Sequence, residues 1–74
     1  MDISILQNLV EKYTVDEISQ AEETLLIEGQ MPFDLNVADD SEALDLLSAA
    51  TWIIERMASH EQSFDDAFQR YMSK

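Results

Sequence analysis

The sequence predicts an all-α domain of four helices, arranged as two antiparallel helical hairpins joined by an extended crossover, or a short strand, over residues 30–38. Three observations carry this expectation. The 74 residues hold one glycine and one proline, too little punctuation for a many-stranded sheet. Apolar residues recur at i, i+3, i+4 and i+7, the period of a helix with one buried face. Each such run is preceded by a side chain suited to cap a helix. A chain this short makes a single domain, residues 1–74, near the lower limit for a self-sufficient core, where a partner subunit is a common support.

In the first helix Ile3, Leu6, Leu9, Val10 and Tyr13 share a face, Asp2 is placed to cap the start, and Lys12 complements the negative end of the helix dipole. Thr14 interrupts, and "TVDE" is a capping box: the Thr14 hydroxyl accepts from the Glu17 amide while the Glu17 carboxylate reaches back to Thr14. The second helix places Val15, Ile18, Ala21, Leu25 and Leu26 on one face. Gly29 suits a left-handed end.

The crossover follows. Pro32 blocks a helix, and Phe33, Leu35 and Val37 alternate with polar residues at the strand period of two. One extended segment makes no sheet alone, so it is expected to lie on the helices unless two chains pair it across a dimer axis. The third helix spans about residues 40–58, followed by the polar turn "SHEQS" and a fourth helix over about 64–72. Ser63 with Asp66 marks the fourth start, and Phe64, Ala67, Phe68, Tyr71 and Met72 share one face.

The third helix is the longest and carries the widest apolar surface. Leu44, Leu47, Thr51, Ile54 and Ala58 form one stripe, with Ala43, Leu46, Ala50, Ile53 and Met57 beside it. Together they cover roughly half the circumference, more than the ~100° of a surface helix, so this helix is expected at the centre of the core. Trp52 falls outside that arc, among Asp45, Ser48, Glu55 and Arg56. A large aromatic on a polar face is either covered by another segment of the chain, the crossover or the last helix, or anchors a partner. Trp52, Arg56 and Phe33 are the candidate interface residues.

Charge narrows the partners. Sixteen acidic residues face Lys12, Arg56, Arg70 and Lys74, a formal net charge of −12. Four scattered cations cannot displace counterions from phosphates, and the same field repels an anionic membrane, so neither nucleic acid nor membrane is expected. Solubility and a basic partner are favoured. Carboxylates spaced like phosphates also suit a mimic of DNA. There is no cysteine, which excludes disulfides, thiolate metal sites and thiol nucleophiles. No run approaches the roughly 20 apolar residues of a membrane span, and "MDISILQNLVEKY" lacks the cationic start of a signal peptide, so a cytoplasmic, bacterial-type protein is expected.

The stretch "NVADDSEALDLL", residues 36–47, admits three readings. As a calcium loop beginning at Asp34 it has Asn36 at the third position, but Ala38 and Asp39 stand where a ligand and a glycine belong. As a helix start, Asp39 caps and Glu42 completes a reciprocal box, while Asp40 and Glu42 complement the positive end of the dipole. As a cofactor site, "FDLNVADDS" resembles the approach to the attachment serine of the acyl carrier proteins, small acidic four-helix carriers. That resemblance implies phosphopantetheine on Ser41, with Phe33 eight residues before it; Glu42 stands where the family has leucine, and no glycine precedes Asp40–Ser41.

Catalysis would require a nucleophile, a base and an orienting group together. His60 lies in a polar turn beside Glu61, and the pairs Glu22–Glu23, Asp39–Asp40 and Asp65–Asp66 are adjacent in sequence, so each diverges around its helix. No enzyme, metal or bound cofactor is expected. Across "LVEKYTVDEISQAEETLL", "PFDLNV", "LDLLSAATWIIERM" and "SFDDAFQRYM" the chain resembles the small acidic single-domain bacterial families of unknown function. That resemblance implies a helical fold and brings no activity. The function expected is a non-catalytic protein-interaction or accessory module, as a homodimer or with another protein; the alternatives are a carrier modified on Ser41 and an acidic DNA mimic.

Overall fold

Every helix begins at a side chain that satisfies otherwise unpaired amides. The computed structural model describes residues 2–30, 33, 37 and 39–73. Asp2 accepts from the amides of Ser4 (2.9 Å) and Ile5 (3.3 Å) and starts α1, Ile3–Lys12. Thr14 starts α2, Val15–Glu28, with both arms of its capping box formed: Glu17 N–H to Thr14 Oγ1 at 3.2 Å and Thr14 N–H to Glu17 Oε1 at 3.0 Å. Asp39 starts α3, Asp40–His60, accepting from the Glu42 amide at 2.9 Å. Ser63 starts α4, Phe64–Met72, accepting from the Asp66 amide at 3.2 Å.

The helix ends differ in cause. α2 closes on Gly29 at φ 70°, the left-handed cap a glycine adopts without a Cβ penalty. α3 closes on Glu61, also left-handed at φ 52°, the sole non-glycine with positive φ among the described residues. The helix therefore runs two residues past the expected end at 58, and His60 belongs to its last turn rather than to the following loop.

All four helices form one all-α unit around α3, against which α1, α2 and α4 each pack. α1 and α2 each lie principally on α3 rather than on each other, so the long helix is the hub of the packing. Leu6, Leu9, Ile18, Leu46, Leu47 and Ile53 are the large side chains fully withdrawn from solvent. Each contributes on the order of 1.5–3 kcal/mol by burial. Ala43, Ala49 and Ala50 of α3 have no exposed surface, nor has Ala67 of α4. Such small residues let neighbouring backbones approach closely.

Several assignments of faces change: Ile3 and Met72, expected on the apolar faces of α1 and α4, are 50% and 61% exposed, and Ala58 of the expected α3 stripe is exposed as well. Leu26, expected on the buried face of α2, is 68% exposed. α2 packs on α3 alone among the major helix contacts, so only the narrow line Ile18, Ala21 and Leu25 is covered, and Leu26 lies about 100° round from Leu25. Ala49, outside the expected arc of α3, is fully buried. The buried surface of α3 is therefore wider than periodicity alone outlines, on a helix packed by α1, α2 and α4.

Of the crossover, Met31, Pro32, Asp34, Leu35, Asn36 and Ala38 lie outside the described residues, and with them the expected strand period and calcium-loop positions Asp34, Asn36 and Ala38. Phe33 and Val37 are half-buried and pack against the core. No strand occurs among the described residues.

Candidate interaction surface

Trp52 sits on the edge of α3 that α4 borders. Its indole meets the Tyr71 ring at 5.5 Å between centroids, inclined by 58°. The Arg56 guanidinium, one turn on, lies 5.8 Å from the centre of the indole, within the range of a cation–π contact. Arg56 Nε–H donates to Gln62 Oε1 at 3.2 Å, which anchors the guanidinium to the turn before α4. Trp52, Tyr71 and Arg56 are all half-buried. Of the two segments expected to cover Trp52 from within the chain, the last helix does so, and it leaves part of the indole open.

Beside this cluster a shallow concavity is lined by Trp52, Glu55, Arg56, Ser59 and His60. His60 Nδ1 and Ser59 Oγ share a hydrogen bond at 2.8 Å on the exposed last turn. The edge is thus apolar at its centre and carries both signs of charge.

Phe33 stands apart from Trp52 and Arg56. Its ring stacks on Tyr13 at 4.1 Å and 14°, over the junction of α1 and α2, and borders Glu17, Ala21 and Thr24. The three candidate interface residues therefore divide into one pair on α3 and one ring committed to the α1–α2 corner.

Ser41 is exposed in the first turn of α3, beside a concavity that also involves Asp39, Glu42, Asp45 and Leu46. The role visible in the geometry belongs to its neighbour Asp39, which holds the helix start. Among the described residues no group of three or more histidine, aspartate and glutamate side chains is placed to hold a metal ion. No described helix is long and apolar enough to cross a membrane.

The Glu22–Glu23 pair diverges as expected. Glu22 turns towards α3, where Thr51 Oγ1 lies 3.3 Å from Oε1 and Ser48 Oγ 3.5 Å from Oε2, while Glu23 faces solvent. The Thr51 hydroxyl also lies 3.1 Å from the Leu47 carbonyl oxygen, so its single proton serves one acceptor at a time. Sequence reasoning missed this link between helices. Its signal was present: Glu22 follows Ile18 by one turn, and Ser48 and Thr51 are three apart on the facing helix.

The fold and this surface define a class: a small, strongly acidic, all-α protein built around one long helix that presents an aromatic edge. The chain belongs to DUF6952, a family of unknown function, whose model matches residues 1–74. No curated protein and no solved structure matches it.

Proposed function

We propose that the protein is a non-catalytic interaction module that associates with a second copy of itself through the Trp52 edge of α3. The observation that carries this reading is a half-buried Trp52 with a cation over its ring on an otherwise polar helix face. Tryptophan and arginine are the residue types most enriched at the energetic centres of interfaces.

The charge pattern supports a self-complementary contact. Asp45 and Arg56 are three turns apart, on the same side of α3 as Trp52, which lies between them. An antiparallel second copy sets each aspartate against the other copy's arginine about a two-fold axis, the isologous arrangement commonest among homodimers. A cytoplasmic setting accords with a cysteine-free, highly charged chain.

Sedimentation over a range of concentrations tests the proposal. The wild type is expected to dimerise, and Trp52→Ala to shift it towards monomer with its helicity retained. Asp45→Lys, at an exposed position, is expected to weaken the dimer, and the double variant Asp45→Lys/Arg56→Asp to restore it. A wild type that is monomeric at every concentration, or a dimer indifferent to these changes, overturns the reading. Mass spectrometry of the Ser41-containing peptide from native cells is expected to show the unmodified serine; an added phosphopantetheine there would replace this function with a carrier's.

A further inference from the structure

α2 ends unlike its neighbours. α1, α3 and α4 each carry a basic residue in the last turn, Lys12, His60 and Arg70 respectively, which complements the negative end of the helix dipole. α2 has none, and its last residue is Glu28. In the same turn Leu26 and Ile27 are 68% and 73% exposed, the most exposed of the large apolar side chains among the described residues.

Their placement follows from helix geometry. Ile18, Ala21 and Leu25 form the line that faces α3. At ~100° per residue, Glu23 and Ile27 point almost directly away from that line and Leu26 to its flank. Glu23 precedes Leu26 by three residues and Ile27 by four, so it is the surface neighbour of both. The outward end of α2 is therefore an apolar pair between Glu23 and Glu28, at a helix terminus whose dipole adds further negative potential.

We infer that this end of α2 docks a basic, amphipathic segment of another protein, with apolar side chains against Leu26 and Ile27 and lysine or arginine beside Glu23, Glu28 and the terminal carbonyls. Charge complementarity selects this occupant. A second copy would bring Glu23 and Glu28 against their own equivalents in a chain of net charge −12, with no cation in the turn to offset them. The Trp52 edge differs, since Asp45 and Arg56 supply both signs. An anionic membrane meets the same repulsion. The two surfaces lie on different helices and function independently.

Heteronuclear NMR titration with a synthetic amphipathic helix of leucine and lysine tests the inference. The peptide is expected to shift the amides of residues 23–29 first. Leu26→Ser/Ile27→Ser and Glu23→Gln/Glu28→Gln are each expected to weaken binding about tenfold or more, the scale of a central interface residue. A control peptide with glutamate for lysine is expected to leave those amides unmoved. Asp45→Lys, which acts on self-association, is expected to leave the titration unchanged, so the failure of one proposal is distinguishable from that of the other. The inference is overturned by shifts centred elsewhere, such as residues 39–45, by unaltered affinity in the Leu26→Ser/Ile27→Ser variant, or by equal binding of the acidic peptide. It is also overturned if phosphatidylcholine vesicles shift the same amides, or if that serine variant loses the self-association of the wild type.

Discussion

Trp52 of α3 and Tyr71 of α4 meet ring to ring at 5.5 Å and 58°, a tilted pair that pins the last helix to the edge of the longest one. α4 has only nine residues, well below the length at which an isolated helix is stable in water, so it persists by packing. Phe64 and Ala67 supply its buried face, and Tyr71 extends the contact outward. A double-mutant cycle of Trp52→Leu and Tyr71→Leu, read by urea denaturation at a concentration where the protein is monomeric, is expected to give a coupling of about 0.5–1.5 kcal/mol. Additive effects of the two changes would mean that the rings make no specific contact.

The two left-handed helix ends predict opposite responses to exchange of residue type. Gly29→Ala places a Cβ at φ 70°, where nothing lies within 4 Å, so its cost is conformational rather than steric contact with neighbours. A loss of about 1 kcal/mol is expected, or roughly 4–8 °C in Tm for a domain of this size. Glu61→Gly removes the equivalent cost at φ 52°, offset in part by the greater freedom of the unfolded chain, and is expected to raise stability by about 0.5 kcal/mol. Thermal melts of the two variants should move in opposite directions.

The start of α3 separates a structural acid from a surface serine. Asp39→Ala removes the acceptor for the Glu42 amide and is expected to cost about 1 kcal/mol. Ser41→Ala, at an exposed position in the first turn, is expected to change stability by less than about 0.5 kcal/mol. Equal losses in the two would require a contact of Ser41 that its exposure does not suggest.

Adjacent leucines on α2 are expected to behave oppositely. Leu25 is 4% exposed and Leu26 is 68% exposed. Leu25→Ala should therefore destabilise by about 2–5 kcal/mol. Leu26→Ala should leave stability within about 0.5 kcal/mol of wild type. Chemical denaturation of the pair checks the face assignment of the helix independently of any partner.

The interhelical link at Glu22 is expected to be modest. Its two hydroxyl neighbours lie at 3.3 and 3.5 Å, at the long end of hydrogen-bond geometry. Thr51→Val, which keeps the shape and deletes the donor, is expected to cost about 0.5–1 kcal/mol. Glu22→Gln retains an acceptor and should cost less.

The sequence by itself determined the helices, because the signals that make them are local. Asp2, Thr14, Asp39 and Ser63 each act on amides two or three residues away, and Gly29 sets its own backbone angle, so no distant residue is needed to place these boundaries. The central position of α3 was legible for a related reason: its apolar surface is too wide for one neighbour to cover. What surrounds each helix was decided only in three dimensions. Periodicity identifies an apolar stripe but carries no information on how many helices cover it. α2 packed principally on α3, leaving Leu26 and Ile27 in solvent, while α4 packed on another part of α3 and reached Trp52 through Tyr71. Glu22 found Ser48 and Thr51, and Phe33 found Tyr13, across separations that no local rule spans. The candidate surfaces of this protein are the remainder of that packing: the edge that α4 covers in part, and the end of α2 that no helix covers.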